Sequence, residues 1–213
     1  MSHSPLAKLA GPSALGAGLL IVAAQLVMLP FDPKDHVATT TDRVFQVGGV
    51  VYLAGFVLLL LTLVGLGDRL ARAAGTFGTV AVVVALAGTM LLGGDLWFET
   101  FAVPWLADQA PASLDTDPTT LLALGAFASY ISFAAGWLLV GLAGWRARTF
   151  PVPISVGIAI GGVIGFQAML APWCVPLALA VGALGVWLLR AAPAAAPTLA
   201  AEAPPSGGQH VAG

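Results

Sequence analysis

The stretch from Thr149 to Leu189 contains 41 consecutive residues without a charge. As one helix rising about 1.5 Å per residue it would reach about 61 Å, twice the roughly 30 Å hydrocarbon thickness of a bilayer. It therefore predicts two apolar helices. Their break belongs at "APWCVP", where Pro172 and Pro176 cannot continue the ladder of backbone hydrogen bonds and Trp173 suits a membrane interface. Four further uncharged runs, Leu9–Phe31, Val44–Gly67, Ala73–Gly94 and Pro118–Trp145, each supply the about 20 residues that one crossing needs. Only 8% of residues are charged and 59% are hydrophobic, whereas soluble domains carry about 25% charged residues. The expected fold class is all-α, an integral membrane six-transmembrane-helix bundle. Its spans fall near 11–30, 44–66, 74–95, 119–143, 151–170 and 174–190, in a domain of residues 1–190.

The ends of the chain read differently. The apolar stretch Leu15–Leu29 is at the long limit for a signal-peptide core, and "VMLPFDP" offers no small-x-small cleavage site, so an uncleaved first helix is expected. Residues 191–213, "AAPAAAPTLAAEAPPSGGQHVAG", are Ala, Pro and Gly with little to pack. They read as a disordered cytoplasmic tail, a solvated segment or a tether for a protein partner.

Basic residues give the orientation. With the N-terminus inside, Lys8, Arg69, Arg72, Arg146, Arg148 and Arg190 fall on the cytoplasmic side and only Lys34 and Arg43 outside, a positive-inside bias that points to a cell (plasma) membrane with both termini cytoplasmic. Most acids fall outside, from Asp32 to Asp117, and make that surface negative. A net charge of -2 and the lack of a basic patch exclude a nucleic-acid partner. Cys174 is the one cysteine, which rules out an internal redox pair and suits packing. His3, His36 and His210 all lie outside the spans, so no haem or imidazole-bound metal site is expected, and no phosphate-cradling loop or nucleophile elbow occurs. No cofactor is implied.

Gly157, Gly161 and Gly165 recur every four residues and form a ridge without side chains, suited to close packing on a neighbouring helix of the same chain or, alternatively, on a second copy. The runs beginning at Tyr52 and Tyr130 each reach an inner arginine about 17 residues later, a parallel echo that small apolar alphabets also produce by chance. The segment "AAGWLLVGLAGWRARTFPVPISVGIAIGG" resembles the helix, basic turn, proline and glycine-rich return helix of many uncharacterised small multi-pass bacterial membrane proteins. The resemblance covers one hairpin and implies no activity.

The stretch "GGDLWFETFAVPWLAD", Gly93–Asp108, carries the most chemistry. In a continuous helix Asp95 and Glu99 share one face at i and i+4, while Trp97, Phe101 and Trp105 form a stripe turned nearly opposite. That stripe fits an aromatic belt at the outer headgroups, with the carboxylates facing the bundle. Gln25, Arg43, Gln46 and Gln167 fall at the same depth and could line one outward-open vestibule with Asp95 and Glu99. No ionisable residue lies near the bilayer midplane, which disfavours a proton-driven transporter.

Three readings stay open. Arg43 could neutralise Asp95 or Glu99 in a cap that only holds the bundle together. The vestibule could bind a lipid, isoprenoid or other small amphiphile. Or the close carboxylates could raise one another's pKa, so that Asp95 or Glu99 acts as a general acid in a lipid- or isoprenoid-modifying enzyme. That last layout is similar to small integral-membrane terpene cyclases, though their motifs are not matched here. Aromatic walls would then have to come from Tyr52, Tyr130, Phe166 or Trp173.

Overall fold

A computed structural model describes residues 5–32, 36–114 and 118–191. The described residues are mostly helical, without strands. The long elements are α1 (Pro5–Met28), α3 (Arg43–Trp97), α5 (Thr120–Arg146), α6 (Val152–Ile164) and α7 (Val175–Ala191). Two short helices, α2 (His36–Thr41) and α4 (Val103–Gln109), flank α3. The expected tail lies outside the described residues beyond Ala191.

Three helices are long and apolar enough to cross a membrane: Ala7–Met28, the 67-residue stretch Arg43–Gln109, and Thr120–Arg146. Val152–Gln167 and Val175–Ala191 are shorter apolar helices. The 67-residue stretch is not straight. At Gly75 the backbone adopts φ 60°, ψ -140°, a left-handed conformation that glycine reaches at little steric cost. The chain reverses there. Gly67 then lies opposite Val82, Gly93 opposite Phe56 and Gly49 opposite Thr100, so α3 consists of two antiparallel limbs.

The glycine positions record how closely the remaining elements approach. A Cβ on Gly55 would stand 2.6 Å from Ile21 of α1, and one on Gly185 2.4 Å from Leu15. Gly136 of α5 faces the Ala85 backbone, Gly162 of α6 faces Trp137 and Leu138, and Gly161 faces Leu177 of α7. Each segment is thus antiparallel to the next, and α7 returns against α1. The expected glycine ridge packs within this chain: Gly157 meets Ala180, Gly161 meets Leu177 and Gly165 meets Phe133.

Inside the ring sits a column of fully buried large side chains, Tyr52, Phe56, Phe133 and Trp137. Phe56 stacks on Phe133 at 5.5 Å between ring centroids. The indole N–H of Trp137 donates to Thr89 Oγ1 at 3.1 Å, which satisfies the one polar atom the column buries there. The outside is apolar as well: Leu19, Val83, Met90, Leu121 and Leu179 are all exposed. Apolar residues on both the inner and outer faces of a helix suit a membrane environment.

The antiparallel order separates the charges. Lys8, the reversal with Asp68, Arg69 and Arg72, and Arg146, Arg148 and Arg190 gather at one end, while Asp32, Asp42, Asp95, Glu99 and Asp108, with Arg43, gather at the other. At the arginine end Arg69 donates to the Thr149 carbonyl at 3.2 Å, and its guanidinium lies 4.9 Å from the Trp187 ring centre and 5.9 Å from that of Phe150. At the acidic end Trp97, Phe101 and Trp105 project outward as expected, with Trp97 and Phe101 5.8 Å apart.

Candidate functional site: a cavity at the acidic end

Helix α3 does not pass unchanged through the segment that carries the carboxylates. Phe98–Ala102 form a π turn, in which the Val103 N–H bonds to the Phe98 carbonyl five residues back. Pro104 supplies the physical reason. It has no N–H to give, and in an α-helix its ring would meet the Thr100 carbonyl four residues earlier, so one widened turn just before it relieves the crowding. Glu99 and Thr100 lie in this turn. Thr100 is buried against Gly49 and donates to the Leu96 carbonyl at 2.7 Å.

The altered register sends the two carboxylates to different hollows. Glu99 lines a cavity of about 220 Å³ with Thr100, Leu96, Phe45 and Tyr130. The remaining wall comes from the segment after α1, from Thr39 and Thr40 of α2, and from Met169–Ala171 between α6 and α7. Asp95 lines a shallow groove between the second limb of α3 and α5, with Leu91, Leu122, Gly125 and Ser129. Tyr130 lines the cavity, while Asp95 shares its groove with Ser129, the residue before Tyr130.

Helix α2 folds over the cavity because of its own polar residues. Thr39 Oγ1 donates to the Asp32 carbonyl at 2.9 Å and ties the helix to the end of the preceding turn. Asp42 caps α3, accepting from the backbone N–H of Val44 at 2.7 Å and of Phe45 at 3.3 Å. Phe45 is held by this cap and meets Phe31 edge to face at 5.3 Å.

The other residues expected to converge are placed as follows. Gln46 is half-buried and donates to the Thr40 carbonyl at 3.2 Å, supporting α2 from behind. Arg43 is exposed at the start of α3, and among the described residues no ion pair joins it to Asp95 or Glu99. Gln167 is exposed and does not line the cavity. Gln25 is fully buried elsewhere: its Nε2 donates to the Ala168 carbonyl at 3.2 Å, and the Tyr52 hydroxyl donates to the same oxygen at 2.5 Å. The end of α6 needs those donors, since the last carbonyls of a helix have no partner within it. Helix α6 accordingly ends at Ile164, followed by a 3₁₀ turn Gly165–Gln167, rather than continuing to residue 170. Cys174 is buried beside the Tyr52 hydroxyl.

Of the expected vestibule residues, Glu99 alone is on the cavity wall. Phe31, Thr39, Thr40, Phe45 and Thr100 are functional candidates that the sequence did not single out. Of the aromatics considered, Tyr130 lines the cavity, Tyr52 is in the core, Phe166 packs on Phe127 and Tyr130, and Trp173 is exposed. The cavity can accept hydrogen bonds from a guest at Glu99 and at the threonine oxygens, and can enclose a short apolar segment. No family model, curated protein or solved structure matches this chain.

Proposed function

We propose that this chain is a multi-pass integral membrane protein of the cell membrane, crossing the bilayer six times with both termini cytoplasmic, and that its acidic-end cavity faces outward and binds a lipid or other small amphiphile. The six-crossing reading is supported by the reversal at Gly75, which divides one 67-residue stretch into two limbs, and by the antiparallel placing of α6 and α7. These last two reach about 24 to 26 Å at about 1.5 Å per residue, which the connecting turn and a locally thinned bilayer can accommodate. The arginine end supports a cytoplasmic side by the positive-inside rule.

The observation that carries the binding reading is the cavity itself. At about 220 Å³ it exceeds the roughly 150 Å³ of an engineered apolar cavity that holds benzene. Its wall is mostly apolar, with a few polar groups from several elements, the usual make-up of a small-molecule site. A lipid-modifying, cyclase-like enzyme is a second reading, favoured by one acid and the rings of Phe31, Phe45 and Tyr130 around a single cavity. The placing of Asp95 in a different hollow speaks against the two carboxylates working as a pair.

Native mass spectrometry of the detergent-purified protein tests the binding reading, with Met169→Trp as a variant that fills the cavity. A small amphiphile retained by the wild type and lost from a folded Met169→Trp variant is the expected result. Identical masses for both, with no retained molecule and none taken up from added lipid extract, would remove the cavity from the account.

A further inference from the structure

The arginine end carries a second site, whose reading rests on the membrane crossing proposed above. Among the described residues this end holds Lys8, Arg69, Arg72, Arg146, Arg148 and Arg190 against one acid, Asp68. Asp68 lies 3.8 Å from Arg72, one helical turn away. Among the described residues Arg69 therefore has no carboxylate, although it is half-buried. Its Nη2 donates to the Thr149 carbonyl at 3.2 Å, and its guanidinium lies 4.9 Å from the Trp187 ring centre. A guanidinium has five N–H donors. One carbonyl and a ring face use part of that capacity and leave the charge without a counter-ion.

The turn beside it adds an independent observation. Where α5 ends, the Thr149 N–H bonds to the Gly144 carbonyl at 2.9 Å and the Arg148 N–H to the Trp145 carbonyl at 3.1 Å. This turn holds Arg148 in the left-handed region, at φ 51°. Glycine is the usual residue at such a helix end, because a Cβ makes the conformation costly. The chain uses glycine at its other left-handed position among the described residues, Gly75. Arg148 is exposed, so packing of its side chain does not offset the strain. Strain held at an arginine points to a demand on its guanidinium.

The two arginines meet at Thr149, which follows Arg148 in the chain and whose carbonyl accepts from Arg69. Trp145 and Val152, on either side of Arg148 in sequence, are exposed, as is Leu189 beyond Trp187. Bound phosphate at this place would therefore border an apolar surface of the kind that acyl chains cover.

We propose that Arg69 and Arg148 form a site for the phosphate of an anionic phospholipid in the cytoplasmic leaflet, both guanidinium groups donating to its oxygens. Arginine suits this because its planar fork can give a phosphate two parallel N–H···O bonds.

The test uses the full-length protein in a neutral maltoside detergent, with phosphatidylglycerol and phosphatidylcholine of identical acyl chains and with inorganic phosphate, read by native mass spectrometry. Phosphatidylglycerol should be retained more tightly than phosphatidylcholine, by about fivefold for each arginine of the site. Arg148→Gly should lose about fivefold of that preference while its lipid-free melting midpoint stays level or rises, since glycine relieves the left-handed strain. Arg72→Met and Met169→Trp should keep the full preference. Equal retention of the two lipids by the wild type overturns the site. So does a loss in Arg72→Met as large as in Arg148→Gly, which would assign the effect to diffuse charge. Retention of inorganic phosphate without a preference between the lipids overturns the lipid assignment. The crossing reading fails separately, if the protein incorporates into vesicles of neither lipid; that result would remove the site with it.

Discussion

The crossing of α5 over the second limb of α3 can be probed with a single methyl group. A Cβ added at Gly136 would stand 2.4 Å from Ala85 Cα, 2.6 Å from Ala85 N and 2.9 Å from Val84 C, whereas ordinary contacts begin near 3.4 Å. All three atoms are backbone, so no side-chain rotation relieves the overlap, and α5 has to move out by about 1 Å. A gap of that size forfeits a quarter to a half of each contact's dispersion energy. It would also stretch the 3.1 Å bond from the Trp137 indole to Thr89 beyond hydrogen-bonding range, leaving a buried donor alone. Overpacking and the orphaned donor each cost about 1–3 kcal/mol, so Gly136→Ala should destabilise by about 2–6 kcal/mol. Gly125 lies on the same helix with nothing within 4 Å of its Cβ position. Gly125→Ala should therefore be neutral or stabilising by up to about 1 kcal/mol through helix propensity alone. Unfolding in mixed maltoside and dodecyl sulfate micelles, followed by helical circular dichroism, measures both. Wild-type stability in Gly136→Ala would show that the two helices do not meet at this glycine.

Thr89→Val keeps the shape of the side chain but removes the acceptor of the Trp137 indole, and should cost about 1–3 kcal/mol in the same titration; an unchanged midpoint would mean the indole has another partner. Tyr52→Phe and Gln25→Leu each leave the Ala168 carbonyl one donor, so each should cost about 0.5–1.5 kcal/mol, while the double variant should cost more than the two together. Strict additivity would show that they do not share that oxygen. Arg69→Met loses the bond to the Thr149 carbonyl and the contact with the Trp187 ring, and should destabilise by about 1–2 kcal/mol. Arg72→Met breaks only an exposed pair with Asp68 at 3.8 Å and should leave the melting midpoint where it was; a larger loss from Arg72 than from Arg69 would reverse the assignment of the arginine end.

The helical segments were readable because charge interruption is a direct signal: each uncharged run corresponds to a helix, to a limb of α3 or, for Thr149–Leu189, to the two helices α6 and α7. The glycine ridge from Gly157 to Gly165 was readable for the same kind of reason, since spacing by four places residues on one helix face. The lining of the cavity was not. The consequence of Pro104 for the register of Glu99 depends on where the chain chooses to widen, and the sequence shows the proline but not the turn. Helix α2 falls between the first two expected spans; six residues carry too little periodicity to mark a helix. Its threonines reach the cavity through the bond from Thr39 to Asp32, a contact between two connecting segments that neither announces alone. Gln25 is expected on the vestibule wall, yet it serves the carbonyl left over where α6 ends. That ending was itself hidden, because the apolar run continues past Ile164 to Trp173. Among the described residues no ion pair joins Arg43 to Asp95 or Glu99, because Arg43 sits exposed in the first turn of α3.

The most direct test of the six-crossing account is labelling of single cysteines in intact cells with a membrane-impermeant maleimide, in a Cys174→Ala background. Cysteines replacing Asp42 and Asp108 at the acidic end should be labelled from outside, and those replacing Arg72 and Arg146 at the arginine end only after the cells are permeabilised. Labelling of residue 72 and residue 108 from the same side would contradict the account, because it would deny the crossing between them that the second limb of α3 provides.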